Sequence, residues 1–544
     1  MFDIMKTKIN TIPIFVWLIA LAMLAGSCAK EPVENPLIRL FMPVVSADPV
    51  IQGNQITVSW LKIKGSVSYT AIISRDTTFQ NVDQTITVGM DTNTVIFANL
   101  LWDQSYRISL QAKGEDPSKD SKLVLFDVKT GKFPTILLPS TSSDLTDYSI
   151  VVRWSNTGAV ATTINVSKTD GTLVKTVALT EADIAAGYKE ITGLTGTTTY
   201  AITIYSGTTL RGTQNYTTTA TPNLGNQVID LRSITGRPTI LTDTMATALS
   251  GTVFILRRSE TYTCNPTASF VLSKSIKVIC LPGLGDPAQL NYTFETDLSG
   301  AIDSIIFSNV SVSGLKNDGI SKVSYMFNTT SAYNCNVGLV SFENCTIKSF
   351  GNSLLRLQTG AAPWGLVNKV YVNHCIINDI GISSGYGIFH AANGGANGNR
   401  IANFEMRNST CYNFTKGILL NSMSNSESVF VDNCTFNNML PGGYYFMDFN
   451  TYSVASLNIN NCIFGKTKDP ALSRGIRASA ETNIVTNNCY TTSDFFTVSY
   501  NIPGLNPYSG LSTDLFKNPD NGDFSIIDSK FDGKNSAGDP RWRP

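Results

Sequence analysis

The stretch that decides the fold is Val429-Phe430-Val431-Asp432-Asn433-Cys434, which returns as Leu457-Asn458-Ile459-Asn460-Asn461-Cys462. Both copies read apolar-x-apolar-x-Asn-small, an alternation typical of a strand with one buried face that ends in a bend. The motif also occurs around five other positions: Asn309, Asn344, His374, Asn408 and Asn488. Successive Asn positions are separated by 35, 30, 34, 25, 28 and 27 residues.

A repeat of this length, with short strands and no helix between them, predicts a coil of strands joined by loops of unequal length. Asn suits the bend because it tolerates the left-handed backbone conformation and bonds to nearby backbone groups. The motif resembles the asparagine ladder of the pectate-lyase-like superfamily. That resemblance implies a right-handed parallel β-helix over residues 226–500, with a C-terminal capping segment at 501–544.

Cysteines recur in the position that follows the Asn. Five of the ten cysteines lie there: Cys345, Cys375, Cys434, Cys462 and Cys489. Such a stack is better explained as small buried apolar side chains than as crosslinks. Disulfides Cys264–Cys280 and Cys335–Cys345 remain open alternatives.

Two similar modules precede the repeat. Each has an alternating strand that ends in a Trp, Trp60 or Trp154, and later a strand led by a Tyr, Tyr106 or Tyr200. This pattern resembles fibronectin type III sandwiches, which act as spacers or docking modules. We place the modules at 37–131 and 132–222. The predicted fold class is all-β, with two β-sandwich modules followed by the β-helix.

The N-terminus has the features of an export signal. Lys6 and Lys8 precede an apolar run that ends in Ala25-Gly26-Ser27-Cys28, too short for a membrane-spanning helix. It resembles a lipoprotein signal peptide (1–28), which implies lipidation of Cys28 and a tether at 29–36. Lys30-Glu31 resembles the tag that directs Bacteroidota lipoproteins to the outer face of the outer membrane. An ordinary secretory peptide is the alternative.

Composition excludes several classes of function. Lys and Arg (41) balance Asp and Glu (41), so we expect no nucleic-acid partner. The two histidines rule out multi-His metal sites, and neither a phosphate loop nor zinc-type Cys pairs occur. The paired-Asp signature of polygalacturonase-type hydrolases is also missing, which disfavours hydrolysis of that kind.

Two columns of outward-facing residues can be derived by alternation, since neighbouring strands of a β-helix lie about 4.8 Å apart. The first column comprises Glu343, Asn373, Arg407, Asp432 and Asn460, beside Ser341, Tyr371, Glu405, Phe430 and Asn458. The second comprises Arg356, His390, Asp448 and Arg477. The alternative for all of these charges is a solvated surface.

Polysaccharide lyases of this fold need a base and a cation that neutralises the uronate carboxylate. Arg356 with His390, or Arg407 flanked by Glu405 and Asp432, could meet that demand, so Arg356, His390 and Arg407 are the candidate catalytic residues. No cofactor is required by the sequence, although a lyase would be compatible with calcium; Glu343, Glu405 and Asp432 are then the candidate ligands.

Aromatic residues in loops offer a second signal, because exposed rings stack on the apolar faces of sugars. The candidate glycan-binding residues are Trp364, Tyr386, Tyr444, Tyr445, Arg400, Asp448 and Arg477. The alternative is that some of these rings pack over the interior of the coil.

These observations favour a cell-surface polysaccharide-binding lipoprotein of a glycan-utilisation system, which recognises uronate-containing, pectin-like chains. Its partners would be an extracellular polysaccharide, the outer membrane through the lipid anchor, and an outer-membrane glycan importer. A pectate-lyase-like polysaccharide lyase is the rival hypothesis. An adhesin or structural spacer is the third.

Overall fold

The computed structural model describes residues 39–225, 227–264, 271–329, 334–358, 365–381, 385–393 and 398–544. The predictions for the signal peptide, Cys28, the tether and Trp364 lie outside these residues. Within the described ranges, no helix has the length and apolar character needed to cross a bilayer.

The first module is a sandwich of two antiparallel sheets. Its strands are β1 (Val50–Gln52), β2 (Gln55–Ser59), β3 (Ser68–Ser74), β4 (Val82–Gly89), β5 (Thr94–Phe97), β6 (Ser105–Lys113) and β7 (Val124–Lys129), with a 3-10 turn at Pro117–Lys119. The sheet β1-β2-β5 packs on the sheet β4-β3-β6-β7. Trp60, at the end of β2, and Tyr69 lie fully buried between them.

The second module repeats this arrangement. Its elements are a 3-10 turn at Ser142–Asp144, β8 (Ser149–Arg153), β9 (Thr163–Lys168), β10 (Leu173–Ala178), α1 (Glu181–Ala186), β11 (Tyr188–Thr192), β12 (Thr199–Ser206) and β13 (Thr209–Thr217). The sheets are β11-β8 and β10-β9-β12-β13. The hydroxyl of Tyr200 accepts a hydrogen bond from the Thr195 amide (3.0 Å), as that of Tyr106 does from Leu101 (2.9 Å). This tyrosine corner is typical of such sandwiches.

Strands from residue 228 onward form the coil. They are β14 (Val228–Asp230), then α2 (Ile240–Thr247), β15 (Thr252–Leu256), β16 (Thr261–Cys264), β17 (Val271–Leu272), β18 (Ile276–Cys280), β19 (Gln289–Tyr292), β20 (Thr296–Leu298), β21 (Gly300–Ser308), β22 (Ser311–Ser313), β23 (Tyr325–Thr329), β24 (Cys335–Glu343), β25 (Thr346–Phe350), β26 (Ser353–Gln358), β27 (Gly365–Asn373), β28 (Ile376–Ile380), β29 (Phe389–Asn393), β30 (Arg400–Arg407), β31 (Thr410–Phe414), β32 (Leu419–Leu420), β33 (Ser426–Asp432), β34 (Thr435–Met439), β35 (Tyr445–Asp448), β36 (Val454–Asn460), β37 (Ile463–Phe464), β38 (Arg474–Arg477), β39 (Ile484–Asn487), β40 (Cys489–Thr491) and β41 (Leu505–Pro507).

Every third strand of the coil pairs in parallel with its counterpart in the next turn of chain, which gives three sheets. The first sheet is β14-β15-β18-β21-β24-β27-β30-β33-β36-β39, the second is β16-β19-β22-β25-β28-β31-β34-β37-β40-β41, and the third is β17-β20-β23-β26-β29-β32-β35-β38. One continuous apolar core, from Leu231 to Ile502, fills the space between them. The predicted β-helix is confirmed, and β41 extends it beyond residue 500.

The predicted Asn corner joins the first sheet to the second. All seven motif residues, His374 included, have left-handed φ values between 47° and 55°. Asn488 Nδ2 donates to Asn461 Oδ1, and Asn461 Nδ2 donates to Asp432 Oδ1, both at 2.8 Å. The bend therefore selects Asn for its backbone conformation and for a side-chain bond to another rung.

A second ladder lies five residues further along four rungs. Ser349, Asp379, Asn413 and Asn438 also have positive φ, each at the penultimate position of its second-sheet strand. Asn413 Nδ2 donates to Asn378 Oδ1 at 3.0 Å, and Asn438 donates to Asn413 at 2.5 Å. Two adjacent corners of the coil are therefore braced by polar side chains.

The recurrent cysteines form a stack inside the coil. Cys345, Cys375, Cys434, Cys462 and Cys489 are all buried, and the nine described cysteines are free thiols. The prediction of small apolar side chains is confirmed at these five positions. The two disulfides left open, Cys264–Cys280 and Cys335–Cys345, are not formed.

The C-terminal segment returns along the side of the coil. It contains α3 (Ser512–Leu515), β42 (Phe516–Asn518), a 3-10 turn at Pro519–Asn521, β43 (Asp523–Ile526) and a 3-10 turn at Pro540–Trp542. Its Phe516, Phe524 and Phe531 pack with Tyr412 and Ile463 on the outer side of the second sheet. The segment predicted as a cap of the last rung thus covers several rungs.

Residues 536–543, here called the strap, run along the Asn corner. The Gly538 amide donates to the Asn461 carbonyl (2.8 Å), and Arg541 Nη2 donates to the His374 carbonyl (2.7 Å). Thr410 Oγ1 donates to the buried carboxylate of Asp539 and accepts from Trp542 Nε1, both at 2.8 Å. The strap therefore ties together rungs that are far apart along the chain.

Candidate functional site

The third sheet carries one unbroken column of outward-facing residues. The register aligns Asp297, Asn328, Arg356, His390, Leu420, Asp448 and Arg477. The residues on either side of His390 and Asp448, such as Phe389 and Met447, belong to the core, so the column faces out of the coil. The sequence-predicted alignment of Arg356, His390, Asp448 and Arg477 is present. Sequence reasoning missed Asp297 and Asn328.

A cleft of about 480 Å³ opens over this column. Its lining combines basic, aromatic and polar side chains: Gly385, Tyr386, His390, Lys416, Leu420, Ser422, Asp448 and Arg477. The lining is mostly polar and contains one tyrosine ring, Tyr386, so the cleft suits a polar or charged ligand better than an apolar one.

The guanidinium of Arg356 lies between two tyrosine rings. Its central carbon is 4.8 Å from the Tyr325 ring centre and 4.7 Å from that of Tyr386. Its Nη2 also donates to the Tyr386 hydroxyl at 3.2 Å. Because Arg is weakly hydrated and planar, this double stacking holds a cation in a buried position with a fixed orientation.

His390 lies beneath Tyr386 and is 3% exposed. Its Nδ1 accepts a hydrogen bond from the Gly387 amide (3.4 Å), so the neutral ring carries its proton on Nε2. Within the described part of the chain, Nε2 has no hydrogen-bond partner. Burial, with the charges of Lys416 and Arg356, lowers the pKa of His390 to about 3. The imidazole is therefore neutral at pH 7.

Lys416 is a cleft residue that sequence reasoning missed, because it lies in the turn between β31 and β32 rather than in a strand. Its ammonium is 5.7 Å from the ring centre of Tyr444. Burial lowers the pKa of Lys416; the nearby Arg477 adds to the effect and Asp448 opposes it. The cleft thus holds a cation that loses its proton more readily than an exposed lysine.

Asp448 and Arg477 form the far wall of the cleft. Arg477 donates from Nε and Nη2 to the two carboxylate oxygens of Asp448, at 2.7 and 2.8 Å. The guanidinium also lies 4.3 Å from the ring centre of Tyr445. This two-point ion pair fixes the position of a partly exposed arginine.

The other end of the column is acidic. Burial raises the pKa of both Glu295 and Asp297. Asn328 Nδ2 donates to Glu295 Oε2 at 3.4 Å. These groups offer hydrogen-bond acceptors and donors at the end of the column remote from Arg477.

The remaining predicted residues lie on the first sheet, away from the cleft. Its register places Glu343, Asn373, Arg407, Asp432 and Asn460 in one line, as predicted. Arg407 lies 4.3 Å from the Phe430 ring centre and is paired with Glu405 and Asp432. The two alternative catalytic sets therefore lie on different faces, as their two predicted columns require: Arg356 with His390 on the third sheet, and Arg407 with Glu405 and Asp432 on the first.

The candidate calcium ligands and Arg400 also lie on the first sheet. Glu343 is three rungs from Asp432, about 14 Å at the usual strand spacing. Glu405 is engaged by Lys369 (2.6 Å) and Arg407. Among the described residues, no three acidic, His or Cys side chains converge as metal ligands. Arg400 pairs with Glu427 at 2.6 Å and does not reach the cleft.

Comparison with known proteins leaves the site unassigned. A family model described as "Domain of unknown function (DUF5123)" matches residues 429–542, which comprise the last rungs and the strap. No curated protein matches the chain. One similar structure is a two-domain fibronectin type III segment of chicken tenascin: 17% identity, 32% of this chain and 97% of that chain covered, TM-score 0.20. Another is FN1-FN3 of chicken CNTN1: 14% identity, 33% and 66% covered, TM-score 0.15. The strand order of the two sandwiches agrees with the predicted fibronectin type III-like fold.

Proposed function

We propose that the protein binds an acidic, uronate-containing polysaccharide in the cleft over the third sheet. The observation that carries the proposal is that Lys416, Arg477 and the Tyr386 ring line one cleft. Arg356 stacks behind Tyr386, and Tyr444 lies next to Lys416. Cationic side chains bind sugar carboxylates, and tyrosine rings cover the apolar faces of pyranose units. Arg356 and Arg477 belong to the column, four rungs apart, and Tyr386, Lys416 and Tyr444 lie in the segments beside it, so the groups are spread along the coil as a polymeric ligand requires.

The proposal includes a location at the cell surface. The signal that ends at Cys28 resembles that of a Bacteroidota outer-membrane lipoprotein, and the coil resembles the pectate-lyase-like group. The two sandwiches would then hold the cleft away from the membrane, where it delivers glycan to an outer-membrane importer. Cys28→Ala should release the chain from the membrane fraction and abolish incorporation of labelled fatty acid. Unchanged fractionation would refute the anchor.

Binding is tested with the mature chain from Ala29, by affinity electrophoresis and calorimetry on polygalacturonate and alginate, with a neutral galactan as reference. Lys416→Met should weaken binding at least tenfold, because a hydrogen bond to a charged group is worth about 1.5–3 kcal/mol. Arg407→Met, on the first sheet, is the matched control and should leave binding unchanged. Absence of retardation on both acidic polymers, or an equal loss with Arg407→Met, contradicts the proposal.

A polysaccharide lyase that acts by β-elimination is the second candidate, favoured by the lowered pKa of Lys416 in an open cleft. A lysine of this kind suits removal of the proton at sugar C5. His390 suits that role less well, because Nε2 is buried and the pKa is about 3. A rise in unsaturated-uronate absorbance that Lys416→Met abolishes would establish cleavage. Binding without such a rise would establish recognition alone.

A further inference from the structure

One end of the first sandwich exposes a group of large apolar side chains. Phe41 is 80% exposed, Met42 50%, Val44 56%, Leu61 57% and Val67 41%. These five residues are called the N-terminal apolar patch. Their segments are neighbours: the Leu61 amide donates to the Val44 carbonyl at 2.9 Å, and Val45 pairs with Trp60. Single exposed apolar residues are common, but a cluster at one end of a domain indicates a contact surface.

Basic residues surround the patch. Arg39, Lys62 and Lys64 are exposed, and within the described residues none of the three makes an ion pair. The neighbouring segment 113–120 is held by the bond from the Leu40 amide to the Lys119 carbonyl (2.8 Å). It adds two lysines and three carboxylates, and the turn between β4 and β5, which bonds Trp60, adds Asp91, so these segments carry five cations against four anions. The surface therefore attracts anions.

The patch lies at the end of the sandwich opposite the second module. The linker at Gly131 donates to the Gly53 carbonyl at 2.7 Å, beside the turn that begins β2. Trp60 and Leu61 follow the other end of β2, so the strand separates the linker from the patch. Arg39 and Leu40 are at the patch, so the chain enters the first sandwich at this end.

We propose that the N-terminal apolar patch rests on the phosphate-bearing surface of a lipid bilayer. This rests on the proposed anchor at Cys28, from which ten residues, at most about 35 Å of chain, lead to Arg39. Apolar side chains enter the headgroup layer while lysine and arginine meet the phosphates. The contact sets the first sandwich upright, with the β-helix pointing away from the membrane.

The test uses the unlipidated mature chain from Ala29 and vesicles of phosphatidylethanolamine and phosphatidylglycerol (3:1), with pure phosphatidylcholine as reference. The chain should co-sediment with the anionic vesicles at low salt and be released at high salt. The double variant Phe41→Ser/Leu61→Ser should lower the partition constant about tenfold. Lys62→Ala/Lys64→Ala should lower it by about fivefold for each cation removed. All these positions are exposed, so the thermal transition should not move.

The matched controls are Ile320→Ser, at an 83%-exposed apolar residue on the β-helix, and Lys530→Ala in the C-terminal segment. Both should partition like the unaltered chain. Failure to sediment with anionic vesicles, or equal effects of the controls, would overturn the proposal. The proposal would also be overturned if the chain did not bind vesicles and instead formed a dimer that Phe41→Ser dissociates. Fatty-acid labelling of Cys28 tests the anchor separately, so the two proposals can fail independently.

Discussion

His390 provides a measurable link between the buried column and pH. Its pKa falls from the ordinary 6.5 to about 3, with burial as the largest cause and Lys416 and Arg356 as further ones. At pH 7 the imidazole is neutral in the folded chain and mostly neutral in the unfolded chain. Below pH 6.5 His390 is protonated in the unfolded chain, whereas in the folded chain it stays neutral down to about pH 3. The free energy of unfolding therefore falls as the pH is lowered through this range.

The size of the effect follows from the shift. Each pH unit below the unfolded pKa removes up to about 1.4 kcal/mol, so about 2 kcal/mol of the free energy of unfolding is lost by pH 5. His390→Gln removes the titrating group while keeping a polar side chain of similar size. The variant is expected to be less stable at pH 7 but to lose about 2 kcal/mol less between pH 7 and pH 5.

The assay is guanidinium denaturation of the β-helix transition at pH 7, 6 and 5, followed by circular dichroism. Other carboxylates, such as Glu295 and Asp297, titrate in both proteins and cancel in the difference. Lys416→Met serves as a second probe and should reduce the pH slope only slightly, because burial is the larger cause. Equal slopes for the unaltered chain and His390→Gln would refute the reasoning.

Three further outcomes are expected. The nine described cysteines should not react with a thiol reagent in the folded mature chain and should all react after denaturation, since each is buried; a fast-reacting native thiol would contradict this. Thr410→Val removes the hydroxyl that bonds Asp539 and Trp542, so it should destabilise the β-helix by about 3 kcal/mol. The freed C-terminus should then be digested faster by carboxypeptidase. An unchanged digestion rate would count against the strap. Arg232, which follows β14, pairs with the buried Asp147 of the second module at 2.9 Å. Arg232→Met leaves Asp147 unpaired and should cost about 3–5 kcal/mol in chemical denaturation, whereas Arg237→Met, in an exposed 3.6 Å pair, should cost less than about 1 kcal/mol. Similar losses in both variants would contradict a stabilising contact between the second module and the β-helix.

The repeat predicted the coil because its information is local. The Asn positions mark the bend, and alternation on either side sets which residues face outward. Arg356, His390, Asp448 and Arg477 therefore lie in register even though the loops between them differ in length. The second ladder has a signal of the same kind, a polar residue five positions after Asn344, His374, Asn408 and Asn433.

Features that depend on distant packing were not predictable in this way. Thr410 and Asp539 are 129 residues apart, and no periodicity connects them. Lys416 lies in a turn, where alternation does not predict which way the side chain points. Its lowered pKa depends on burial by neighbouring rungs. Alternation assigned Arg407 and Arg356 to different columns, but only the arrangement of the three sheets shows that the cleft opens over the column of Arg356.

The strap lies on the one corner whose length is the same in successive rungs. From Asn344, His374, Asn408, Asn433 and Asn461, the chain reaches the aligned residue of the second sheet after two positions every time. The other two connections differ from rung to rung. Insertions at those connections do not alter the Asn corner on which the strap lies. A change in loop length is therefore compatible with the strap at those two connections but not at the Asn corner, where one inserted residue would shift the carbonyls that the strap binds.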